Sequence, residues 1–479
     1  MSPLLVSFII VFYFVVLVGI SYLTTRKVDS KSFFGGTRKS PWYIIAIGMI
    51  GTSISGVTFI SVPGAVYTEQ FSYLQMVLGF LVGYLVVANV LLPLYYRLNL
   101  TSIYSYLESR FGFFSYKTGA LFFLLSRSIG SAFRLYIVAI VLQTVIFDKV
   151  GVPFWVSVSV TIGLIYLYTY KGGVKTIIWT DLVQTFAMLT AVVLCLVLVS
   201  NAMGFSFGQM VDAVHNSKYS RVWFFDDPMS KLYFWKQFLA GVFIPIVMTG
   251  LDQDQMQKNL SCRSLSDAKK NMYWYSLMFV PINLIFMSMG VLLVLYAQRI
   301  GLDIPAKTDK LFPLIATGGY LHATLGVTFV VGVIAAAYSS ADSALTALTT
   351  SFTVDILGAG KYDETRLKRI RTMVHLGMSL LLIAIILLFK AINNEAVIKA
   401  IYTVAGYTYG PLLGLYAFGV LTKRRVRDYL VPVAAVLAPI LCFGATYLFA
   451  IGFELLIYNG VVTFVLIWLT GIGLKVSNK

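Results

Sequence analysis

The chain has 479 residues, 58% of them hydrophobic and only 12% charged, where an ordinary soluble domain carries about 25% charge. With a mean hydropathy of +0.83, no core of this size hides so much apolar surface from water, so the solvent is a bilayer and soluble enzymes, disordered chains and fibres are excluded. The formal net charge of +17 needs an explanation other than nucleic acid, and three scattered cysteines (Cys195, Cys262, Cys442) supply neither a disulfide framework nor a zinc cage.

Apolar runs long enough to cross the hydrocarbon as helices lie near 3–24, 41–68, 71–96, 118–147, 153–170, 174–201 and 235–254. Others follow near 271–297, 321–354, 372–390, 396–421, 429–450 and 455–474, which makes about thirteen transmembrane helices in an all-α membrane protein. The first run has no basic segment ahead of it and no small-residue cleavage site behind it, so it reads as a retained helix. The loops near 202–234 and 298–320 are too short for a soluble domain, and residues 1–479 read as one transmembrane domain. With the N-terminus outside, 25 of the 37 lysines and arginines fall in inward loops, ten in outward loops, and Arg127 and Arg134 inside a helix. That bias orients the chain N-out and C-in. The positive charge is thereby assigned to topology and anionic lipid, with no nucleic-acid partner and no obligatory protein partner evident.

Two of the runs carry clusters of helix-disturbing residues. The second has Gly48, Gly51, Gly56, Pro63 and Gly64 among Thr52, Ser53, Ser55 and Thr58; the seventh has Gly241, Pro245 and Gly250 before the polar stretch LDQDQMQKN. They start roughly 195 residues apart and each opens a set of five helices. Interrupted helices at matched positions of two halves point to an inverted-repeat transporter, with a first repeat near 41–201 and a second near 235–421. Small residues also serve plain helix packing. A break does more: it frees backbone carbonyls and helix ends at mid-membrane, where they bind an ion or polar solute without added formal charge.

A carboxylate at the bilayer centre costs about 3 kcal/mol on insertion scales and is a functional candidate by default. Asp342 lies mid-helix, and Ser339, Asp342, Ser343, Thr346 and Thr350 recur at three- and four-residue spacing as one oxygen-bearing stripe. Such oxygens suit a hard cation. Asp181 either pairs with that stripe or faces headgroups, whereas Asp252, Asp254 and Asp355 sit near helix ends, where capping or solvation is expected. Arg127 and Arg134 either hold an anionic solute or pair with an acid. Tyr402, Tyr407 and Tyr409 either line the path or pack as aromatics. His215, His322 and His375 offer no paired spacing for haem or zinc, and no phosphate-binding Gly-rich loop is present, so neither an enzyme nor an ATP-driven pump is expected.

The stretches GMIGTSISGVTF, KGGVKTIIWTDLVQ, TGLDQDQMQKNL and AAAYSSADSALT, in this order, resemble the sodium:solute symporter family. The resemblance implies a LeuT-type fold, a 5+5 inverted repeat with one extra N-terminal helix and two or more behind. It implies import of a small polar organic solute (a sugar, a sialate-like solute or another carboxylate) with sodium, by alternating access, in the plasma membrane, the inner membrane of a bacterium. Carried over by motif, the main sodium site uses carbonyls of Gly51, Ile54 and Ala336 with the hydroxyls of Ser339 and Ser340. A second sodium site, present in some members, maps to Asp181, Ser339, Asp342 and Ser343. Asp342 stands where the sialic-acid members have serine, which leaves a second sodium or a proton as its cargo; a proton-coupled symporter using Asp342 is the alternative. Solute contacts map to Ser53, Ser55, Thr58, Tyr73 and Gln75, with Arg134 and Arg127 a turn to either side of the slot, filled here by Ser131, where sialic-acid members hold an arginine.

Overall fold

A computed structural model describes residues 3–25, 29–35, 39–392, 403, 407–446 and 454–472. Each apolar run among them forms helix. In chain order these are α1 (Pro3–Thr24), α2 (Trp42–Ser53), α3 (Gly56–Glu69), α4 (Tyr73–Arg97), α5 (Phe113–Leu142), α6 (Phe154–Thr169) and α7 (Val174–Ala202). Next come α8 (Phe234–Gly250), α9 (Gln253–Asn259), α10 (Leu265–Arg299), α11 (Ala323–Ile356), α12 (Glu364–Ile392), α13 (Tyr409–Leu421), α14 (Val431–Thr446) and α15 (Leu455–Thr470). Among the described residues seven helices are long and apolar enough to cross a membrane, and two bent pairs raise this to nine. Four shorter apolar helices, in α1, α6, α13 and α15, account for the remaining runs. Tyr402 and the start of the 396–421 run lie outside the described residues.

The two bent pairs are α2/α3, at 59°, and α8/α9, at 71°. In the first, the helix stops at Ile54 (ψ 88°), and Ser55 leaves helical space and caps α3, accepting from the Thr58 amide. The prolines are not the cause, since Pro63 lies within continuous helix. In the second, Pro245 leads into a widened π turn over Ile246–Gly250, and Asp252 then caps α9 through the Asp254 amide at 2.8 Å. Proline and π turns are ordinary sources of such kinks.

Helix α11 is the axis of the assembly. It runs along α7 and packs against α3, α5 and α12, with 78% of its most apolar stretch buried, against 33% for α12 and 28% for α14, which face outward. Glycines let other pairs approach closely. A Cβ at Gly79 of α4 would come within 3.0 Å of Gly241 Cα on α8. One at Gly51 would come within 3.1 Å of Thr185 Cβ on α7. On one side, Phe59 stacks on Phe312 at 5.7 Å between centroids, with Phe286 and Phe329 around it. On the other, a cavity of about 1140 Å³ opens among Ser30, Lys39, Asn99, Thr101, Lys175 and Gln257.

Candidate functional site

The α2/α3 break lies against α7 and α11. Among the described residues no backbone donor reaches the carbonyls of Gly51 and Ile54. This follows from ending a helix, whose last carbonyls lose their partners. From α11, Ser340 Oγ donates to the Thr52 carbonyl at 3.2 Å and Ser339 Oγ donates to Asp181 Oδ1 at 2.6 Å. Ala336 lies one turn earlier on α11. Ile54, Ala336, Ser339 and Asp181 are all buried. The carbonyls and hydroxyls that the family resemblance gathers around one sodium ion therefore lie on two adjoining walls, the helix break and the α11 serine pair.

Lysine 258 stands beside this cluster. Counted from sequence among the inward loop lysines, it is instead buried, 2% exposed, with its ammonium 2.7 Å from Asp181 Oδ2. It also donates to Thr52 Oγ1 at 2.6 Å and to Ser343 Oγ at 2.7 Å, and Asp254 Oδ1 lies 3.8 Å away. The α8/α9 bend carries it inward, because the short α9 is buried along its whole length. Nothing in the stretch QDQMQKN marks that folding back, and the sequence reading missed it. Asp252 and Asp254 are likewise buried, not solvated, although Asp252 does cap α9. Arg127 of α5 pairs with Asp254 and lies 3.6 Å from Asp252, which also accepts from Tyr409 OH at 3.2 Å. Of its two sequence readings, Arg127 thus takes the ion pair. Asp355, expected to be solvated or capping, is buried and accepts from Tyr116 at 2.9 Å and Ser351 at 2.6 Å. A buried carboxylate needs such donors.

Asp342 makes no ion pair with Lys258, whose acidic partners among the described residues are Asp181 and Asp254. Its Oδ2 accepts from Tyr168 OH at 2.8 Å, with Thr180 at 3.5 Å, and its Oδ1 has no partner among the described residues. Below it the hydroxyls of Thr346 and Thr350 are buried and equally unpartnered. The stripe read from sequence is thus wholly interior, with free oxygens along it.

The solute candidates divide. Ser53 Oγ lies 2.6 Å from Tyr275 OH, which lies 2.8 Å from Tyr84 OH, a hydroxyl chain beside the break. Ser55 is occupied as the α3 cap, and Thr58 and Tyr73 are half-buried. Gln75 is spent on backbone: it donates to the Leu232 carbonyl at 2.9 Å and accepts from the Phe224 amide at 3.1 Å, pinning a loop. Arg127, Ser131, Arg134 and Val138 share one face of α5, and Val138 packs over Gly56 at the first break. Arg134 thus lies between the two helix breaks, half-buried, with no ion pair among the described residues.

Residues 33–428 match the model of the sodium:solute symporter family. The chain belongs to that family. It is a family of membrane transporters, not of enzymes. A sodium-dependent multivitamin transporter of Oryctolagus cuniculus is 28% identical over 78% of this symporter-family chain and 59% of its own length. A sodium/sialic acid symporter of Proteus mirabilis is 25% identical over 88% of the chain and 86% of its own. The chain spans about six tenths of the mammalian relatives it matches. A solved sodium-coupled sialic acid symporter, in a substrate-bound outward-open state, superposes with a TM-score of 0.84 over 98% of both chains. At 19% identity that likeness shows the fold.

Proposed function

We propose that this symporter-family chain is a sodium-coupled carrier that imports a small polar organic solute, a carboxylate in preference to a sugar, by alternating access across a plasma membrane. The observation that carries the reading is the α2/α3 break, whose Gly51 and Ile54 carbonyls take no backbone donor among the described residues and whose Thr52 carbonyl accepts from Ser340 of α11. Sodium bound there ties the broken helix to α11 and favours solute beside it. Repeats near 41–201 and 235–421, each opening on a broken span, then move relative to one another, with the N-terminus outside and the C-terminus cytoplasmic. Carboxylate is preferred because Arg134 is a half-buried guanidinium with no ion pair among the described residues, whereas Arg127's charge is already met. Ser53, Thr58 and Tyr73, with Ser55 at the α3 cap, are the polar contacts in this reading; Gln75 serves the loop.

Thermal stability of the purified protein, titrated with sodium and with potassium as the matched control, tests this. Selective stabilisation by sodium, lost in Ser340→Ala, is expected; equal response to both ions would refute the sodium site. A proton-coupled carrier is the second reading, favoured by Asp342, whose free Oδ1 faces no cation within ion-pair distance among the described residues. It predicts stabilisation on acidification, lost in Asp342→Asn, with no preference for sodium.

A further inference from the structure

We propose that Lys258 is the resident cation of the second ion pocket, so that this protein couples transport to one sodium ion rather than two. The inference rests on the sodium reading above.

The second sodium site implied by the family resemblance gathers Asp181, Ser339, Asp342 and Ser343. In this chain Asp181 and Ser343 face the Lys258 ammonium at 2.7 Å each, and Thr52 completes the set at 2.6 Å. An ammonium has three protons, and here three oxygens from three different helices, α2, α7 and α11, receive them. The remaining members are engaged elsewhere: Ser339 with the other Asp181 oxygen and Asp342 with Tyr168. A carboxylate and hydroxyls from converging helices are the donors a hard monovalent cation takes, and a tethered one already holds them. The carboxylate Oδ2 that a second sodium would need is thus committed to a side chain that cannot dissociate.

Charge accounting points the same way. Asp181, Asp252 and Asp254 form a continuous buried cluster with Arg127 and Lys258. These ion-paired groups are one positive charge short, which a single sodium at the adjoining main site supplies; Asp342 lies outside the ion pairs, held by Tyr168. Thr52 links the two places, giving its hydroxyl to the lysine cluster and its carbonyl to Ser340. Lys258 thereby acts as a positioning residue for the main site as well as the occupant of the second.

Counting bound sodium on the full-length protein by equilibrium dialysis with radioactive sodium decides it. Wild type is expected to bind one ion per chain at saturation, lost in Ser340→Ala. Lys258→Ala, which empties the pocket and leaves Asp181 without its ammonium, is expected to bind two. Lys258→Ala with Asp181→Asn is expected to return to one. A purely structural ion pair would leave the count at one in Lys258→Ala and overturns the proposal. Two ions in wild type also overturn it while leaving the sodium reading intact, and none in wild type removes both. Should Lys258→Ala fail to fold, Lys258→Ser, which also empties the pocket, is counted in its place: two ions are expected, and one overturns the proposal.

Discussion

Arg127 answers two carboxylates at once, Asp252 and Asp254, with all three groups buried. Removing one partner of a buried pair typically costs about 3–5 kcal/mol, because a charge is left uncompensated. Arg127→Met is therefore expected to lower the unfolding midpoint in detergent sharply, and Arg127→Met with Asp254→Asn to recover part of the loss. No such recovery would show that the guanidinium acts by packing alone. At this scale the sequence was informative about lone acids and uninformative about pairs. Asp181 and Asp342 stand out because each interrupts an apolar run. Lys258 does not, because its neighbours Gln253, Asp254, Gln255, Gln257 and Asn259 read as a solvated loop, and only the bend at Leu251–Asp252 turns them inward. Gln75 is the opposite case: the family resemblance maps this buried amide to the solute, while in the structure it holds a loop distant in sequence.

Among the elements, the two helix breaks were legible as regions and not as positions. Clustered small residues marked 41–68 and 235–254, yet α2 ends at Ser53 and Pro63 bends nothing, since the cap at Ser55 and the space at Gly51 and Gly56 set the geometry. The glycines matter as contact points too. Helices α4 and α8 meet through Gly79 and Gly241, where an added side chain would press on backbone. Overpacking of this kind costs about 1–3 kcal/mol and more when backbone must move. Gly79→Val is expected to reduce the yield of monodisperse protein and its thermal stability, while Gly163→Val, where a Cβ meets nothing within 4 Å, is expected to be neutral. Equal behaviour of the two would mean the close approach is not used.

For the whole molecule, coupling between sodium and solute is a single free energy shared by both. A solute that tightens sodium tenfold is therefore expected to be tightened tenfold by sodium, measured by the two titrations on one preparation; unequal factors would mean the sites sit in different states. One cation moving through about 100 mV contributes about 2.3 kcal/mol, roughly fifty-fold accumulation of a neutral solute. A monovalent carboxylate moving with one sodium carries no net charge, so its uptake is expected to follow the sodium gradient and ignore membrane potential in vesicles. The central position of α11 also decides which charges it must meet. Among the described residues α1 to α10 precede it in the chain, and the groove that receives it is lined by Asp181 of α7 and Lys258 of α9. Those two pair across α7 and α9 without any group from α11, so the pair does not depend on α11 for its charge balance. One ammonium therefore joins three helices, since it meets Asp181 of α7, Thr52 of α2 and Ser343 of α11 from its own place on α9.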